Sequence, residues 1–183
     1  VRTDSTGIPK PAIVLAAILG AALLAGVIVL RVYSGNEPAQ PKHNKIDKPL
    51  AVAPVPAPDA GNKDCAALLG KLPRTIPSDG EQLSRLALAK PVPPATVAWA
   101  ATGDPVILRC GIEKPAELTP TSQLTVVSGV QWLRVADQGR ATYYAVDRPV
   151  YVALTVPDSV GTGPLQDTST AIRTALPQKP VRP

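Results

Sequence analysis

A chain of 183 residues with 19 Lys and Arg, 14 Asp and Glu and one histidine carries a formal charge of +5, but the excess is not gathered in one place. Residues 63–160 hold ten basic against nine acidic side chains. A nucleic-acid binder concentrates its basic residues on a folded face, so that class is set aside, and one histidine with two cysteines makes no zinc site.

Residues 12–30, AIVLAAILGAALLAGVIVL, are nineteen apolar residues without a charge. At about 1.5 Å rise per residue a helix of this length nearly crosses the roughly 30 Å of a bilayer's hydrocarbon core. It is apolar on every side, so it does not read as a helix with one face in a protein core. A cleaved signal is the competing reading, but its apolar stretch is usually about 7 to 15 residues and the only cleavage frame, Val32-Tyr33-Ser34, fits poorly. Val27 stands where lipoprotein processing needs cysteine, which excludes a lipoprotein. The sequence therefore predicts a short cytoplasmic amino terminus over residues 1–11 and a retained transmembrane helix over 12–30.

Orientation follows from the cysteines. Cys65 and Cys110 both come after the span, and an even pair in an exported domain reads as a disulfide, whereas a cytosolic domain keeps its thiols reduced. The expected location is the cell membrane, with the carboxyl-terminal domain outside the cytoplasm.

Residues 31–62 contain six prolines, the only histidine, His43, and no apolar periodicity, which predicts an extended spacer. The folded domain is expected over 63–177, with a tail over 178–183. It opens with a short helix at 64–70, where Asn62 or Asp64 can cap and Gly70 can terminate. Residues 72–80 read as turns, and 83–89 suits a helical turn as well as a strand. In VILRCGI, residues 106–112, Val106, Leu108 and Cys110 alternate with Ile107 and Arg109, which predicts a strand with its cysteine turned inward. The disulfide would tie the first helix to this strand and close a loop of about 45 residues, contributing about 4 kcal/mol.

Four more strands are predicted near 124–127, 130–135, 141–146 and 150–156. The last turns Val150, Val152, Leu154 and Val156 to the core and Tyr151, Ala153 and Thr155 away. Pro164 can start a closing helix that buries Leu165, Ile172 and Leu176. One antiparallel sheet with two flanking helices and one disulfide is an α+β domain.

Ala98-Trp99, the run from Pro105 to Ile112, Gly129-Val-Gln-Trp132, Asp147-Arg148 and the run from Tyr151 to Pro157 together resemble an actinobacterial family of single-span exported proteins classed as a domain of unknown function. The resemblance extends over roughly residues 60–177 and departs at Ala100-Ala101-Thr102-Gly103, where a tighter turn is expected. It supports the exported location and the disulfide, and it brings no catalytic or binding residues with it.

No catalytic constellation stands out. The histidine lies in the spacer, the cysteines are expected to be bonded to each other, and no nucleophile elbow, phosphate-binding glycine loop or metalloprotease motif occurs. Asp104, Glu113, Glu117, Asp137, Asp147 and Asp158 would serve an envelope hydrolase only as a pair facing across a cleft. Such acids more commonly form solvated turns. The leading expectation is a non-catalytic interaction module of the cell envelope, with no cofactor and no metal, whose partner is an envelope protein or a cell-wall component. An apolar, lipid-carrying cavity is a third possibility. Tyr151 and one of Tyr143 and Tyr144 should share a face as an interface patch, flanked by Arg109 and Arg148, whose guanidinium groups suit an anionic ligand.

Overall fold

Asn62 accepts a hydrogen bond from the Asp64 amide on its side-chain oxygen and so starts helix α1 (Lys63–Lys71), as its position implies. The computed structural model describes residues 48–183. After α1 come β1 (Thr75–Ser78), β2 (Glu81–Arg85), β3 (Thr96–Ala100), β4 (Val106–Ile112), β5 (Leu124–Val127), β6 (Val130–Asp137), β7 (Arg140–Ala145), β8 (Tyr151–Pro157) and helix α2 (Gly163–Ala175). The strands form one antiparallel sheet in the order β1-β2-β3-β4-β8-β7-β6-β5. It is two four-stranded meanders joined along a single seam, β4 against β8.

Turn chemistry sets the tight ends. Asp79-Gly80 and Ser128-Gly129 each have positive φ at both residues and close two-residue hairpins between Ser78 and Glu81 and between Val127 and Val130, the geometry that matches strand twist. At the seam, Gly111 (φ 78°) forms a bulge between Cys110, opposite Val152, and Ile112, opposite Tyr151. Any side chain there would collide with the Asp59 main chain, which donates its amide to the Gly111 carbonyl at 3.0 Å.

Alternation then sorts the side chains. Ile76, Leu83, Val97, Trp99, Val106, Leu108, Cys110, Val130, Trp132, Val152, Leu154 and Val156 form the inner face and pack on Cys65, Leu68 and Leu72 of the α1 region and Ala171, Ile172 and Leu176 of the α2 region. Helix α2 touches α1, β1, β5 and β6. Because β1 and β5 are the two edges, the sheet curls around that helix. The indoles are fully buried, and each finds an acceptor: Trp99 donates to the Pro73 carbonyl at 3.0 Å and Trp132 to Ser169 Oγ at 2.9 Å, which in turn donates to the Leu165 carbonyl. Cys65 and Cys110 are joined, with Cα atoms 5.6 Å apart.

Three expectations change. The segment read as turns at 72–80 is the β1–β2 hairpin, and β3 was not anticipated. Residues 48–62, assigned by composition to a free spacer, lie on the domain instead: Leu50 pairs with the chain beside Leu88, donating to Ala87 and accepting from Ala89, and Asp59 is held by Gly111. The tail is also fixed, with the Lys179 amide donating to the Asp147 carbonyl at 2.8 Å. No helix among the described residues is long and apolar enough to cross a membrane, and the 12–30 run lies outside them.

Candidate functional site

The outer face carries the residues with functional promise. Strand register aligns Thr96, Arg109, Ala153, Tyr144, Leu133 and Leu124 in one rung across six strands. Arg109 and Tyr144 are therefore two strand spacings apart, about 10 Å, with the small side chain of Ala153 between them. Tyr151 lies on the same face, two residues along β8 from Ala153.

This face is walled rather than bare. The 113–123 connection sets Leu118 against Leu133 and Val146, and Tyr144, Tyr151 and Val181 of the tail pack around this second cluster. Ser122 braces the connection by donating to the Glu117 carbonyl and accepting from the Thr119 amide, both at 2.9 Å. The Tyr151 hydroxyl donates to the Arg182 carbonyl at 3.4 Å. On the other side Arg109 Nη2 donates to the Ala53 carbonyl at 3.4 Å.

The electrostatics are those of a half-buried cation. Burial pushes the Arg109 guanidinium below its ordinary value, against an opposing influence from Tyr144. Burial and then the Glu117 carboxylate raise the Tyr144 phenol, while Arg109 lowers it. Arg109 Nε is buried and has no hydrogen-bond partner among the described residues. What this arrangement offers is a partly desolvated donor with the Tyr144 phenol nearby, suited to a carboxylate or phosphate group.

The tyrosine pair of the outer face is thus Tyr144 and Tyr151. Tyr143 turns inward, edge-on to Trp132 with ring centroids 6.4 Å apart. Arg148 is not on the surface. Its side chain is 1% exposed; Nη1 lies 3.2 Å from Asp147 Oδ2, and Nη2 donates to the Gly129 carbonyl at 2.7 Å. Asp147 Oδ1 accepts the Gln131 amide at 3.2 Å, so the pair clamps the β5–β6 turn to the β7–β8 connection. A charged residue after a turn reads as solvated in sequence. Its burial here is possible because its neighbour carries the opposite charge.

That clamp also removes Asp147 from any carboxylate pair. Asp104, Glu113, Glu117, Asp137 and Asp158 are exposed, and the depression that includes Asp158 has no second acid in its lining. It is also the one beside Tyr143 and Leu165, at about 200 Å³, below the roughly 300 Å³ at which ligand pockets begin. Among the described residues no group of three or more His, Cys, Asp or Glu is placed to hold a metal ion.

No curated protein and no solved structure matches the chain. A family profile described as a protein of unknown function, DUF3515, matches residues 17–181. Since that match takes in most of the chain and nearly all of the sheet, helices and tail described above, the chain belongs to the DUF3515 family.

Proposed function

We propose that this protein is a single-span membrane protein whose 48–183 domain stands outside the cytoplasm and serves as a non-catalytic binding module for an anionic envelope component. The apolar run at 12–30 and the Cys65–Cys110 disulfide support the location. The observation that carries the binding reading is the outer-face rung, where Arg109 has a buried Nε without a partner among the described residues and Tyr144 flanks it across Ala153. A guanidinium held partly out of water gains most from an incoming carboxylate or phosphate, and the Tyr144 phenol supplies a donor and flat contact area.

The test is a thermal-shift titration of the full chain in detergent with carboxylate-bearing cell-wall glycan fragments, beside Arg109→Met and Tyr144→Phe. A ligand that binds only the folded state raises the melting temperature with concentration. The expected result is a saturable rise for the unaltered protein that both variants lose. Equal rises in all three would remove the outer face from the reading.

A further inference from the structure

We infer that the end of the domain at which the described chain begins is a docking surface for a bilayer carrying anionic phospholipid headgroups. This rests on the membrane-anchor reading but not on the outer-face site. Two depressions are lined by the chain on either side of Leu88. One, about 560 Å³, is lined by Arg74, Thr75, Ser84, Arg85, Leu86 and Ala87. The other, about 320 Å³, is an apolar groove whose lining includes Val52, Pro54, Lys90, Pro91 and Val92. Leu50 bonds to Ala87 in the lining of the first and to Ala89 in that of the second.

The chemistry is of two kinds in the right order. Neither depression has an acid in its lining, and Lys48, Arg74, Arg85 and Lys90 are all exposed. Val92, 51% exposed, and Val55, 41%, are two of the three large exposed hydrophobics among the described residues. Basic side chains beside exposed apolar ones are what an interfacial contact needs: the cations meet lipid phosphates, while Val92 and Val55 meet the headgroup boundary.

The position of this surface names the occupant. Seventeen residues separate Leu30 from Lys48 in the sequence. Even fully extended they reach only about 60 Å, so an anchored domain stays within that distance of the bilayer, and the residues next to the tether have the shortest reach to it. At such an effective concentration a weak contact suffices.

The experiment uses the full chain reconstituted in vesicles of phosphatidylglycerol mixed with phosphatidylcholine, or of phosphatidylcholine alone. A photo-crosslinking amino acid replaces Val92 or, as the comparison, Val126, which is 66% exposed on the edge strand β5. The expected result is a lipid adduct at Val92 several-fold above that at Val126, dependent on phosphatidylglycerol and lost in Arg74→Glu/Arg85→Glu, whose unchanged melting temperature shows that it still folds. Equal yields at the two positions, indifference to lipid charge, or a Val92 adduct to a second copy instead of lipid each overturn the docking surface. Carbonate extraction separates this from the anchor. A protein that resists extraction but gives no Val92 adduct overturns the docking surface alone, one that is extracted yet still labels at Val92 overturns the anchor alone, and one that does neither overturns both.

Discussion

Arg109 and Tyr144 stand on the same rung of the outer face with only Ala153 between them. The guanidinium is held there at a cost, because its buried Nε has no acceptor among the described residues. Arg109→Met keeps the apolar stem and removes that unsatisfied donor, so it should raise stability by roughly 1 kcal/mol while abolishing anionic-ligand binding. Thermal or denaturant melts read the first effect and ligand titration the second. A melt lowered by the substitution would mean that the bond to Ala53 is what Arg109 is for.

The phenol of Tyr144 should titrate late. Its ionisation lies above the ordinary 10.0, through burial and then Glu117, with Arg109 pulling the other way. An ultraviolet alkaline titration should lose this late component in Tyr144→Phe, shift it upward in Arg109→Met and downward in Glu117→Gln. The sign for stability follows. The folded state holds this proton more tightly than the unfolded one, so its contribution is level below the unfolded value and falls as pH rises from there toward the folded value. A Tyr144→Phe variant whose stability falls just as steeply above pH 10 would assign the loss to other groups.

Breaking the buried pair should be costly. Arg148→Met leaves the Asp147 carboxylate buried without its cation and the Gly129 carbonyl without its donor, and about 3 kcal/mol or more should be lost. Asp147→Asn/Arg148→Met, which keeps an acceptor for the Gln131 amide and buries no net charge, should recover part of that. Urea melts of the two variants decide it. A single variant as stable as the unaltered protein would show that the clamp is not needed.

These cases also show where the sequence was legible. Strands β4, β6, β7 and β8 and both helices could be placed because each shows a face to the core and carries its turn or capping residues beside it, and β5 because Ser128-Gly129 ties it to β6: Val152, Leu154 and Val156 alternate with Ala153 and Thr155, and Asn62 and Pro164 mark helix starts. Strand β3 gives no such signal, being buried at all five positions. Strand β1 has Pro77 at its centre, tolerable only because it is an edge. The proline-rich 48–62 segment is bound through main-chain groups, which composition does not reveal. The Tyr144–Tyr151 pairing with Arg109 was readable only as alternatives, since alternation says that adjacent tyrosines part but not which one faces in.

Removing the disulfide should expose how much the fold depends on it. Cys65→Ser/Cys110→Ser frees a 45-residue separation and should lower stability by about 4 kcal/mol in the chain-entropy picture, much of the usual 5 to 15 kcal/mol of a domain. The expected readout is a melting transition many degrees lower in the double variant, matched by the reduced native protein. A loss under about 1 kcal/mol would mean that α1 is held against β4 by packing alone.

The same bridge has a mechanical meaning. A pull on the amino-terminal end of the domain runs along the 48–62 segment into α1, and at Cys65 it divides. The covalent shortcut to Cys110 leads part of it directly into β4, the strand that joins the two meanders. Strands β1, β2 and β3 sit inside the closed loop, off that covalent path, and are loaded through hydrogen bonds, those of Leu50 to Ala87 and Ala89 and those of β3 to β4. A load on that end thus reaches the centre of the sheet by a covalent route and its first three strands only through hydrogen bonds.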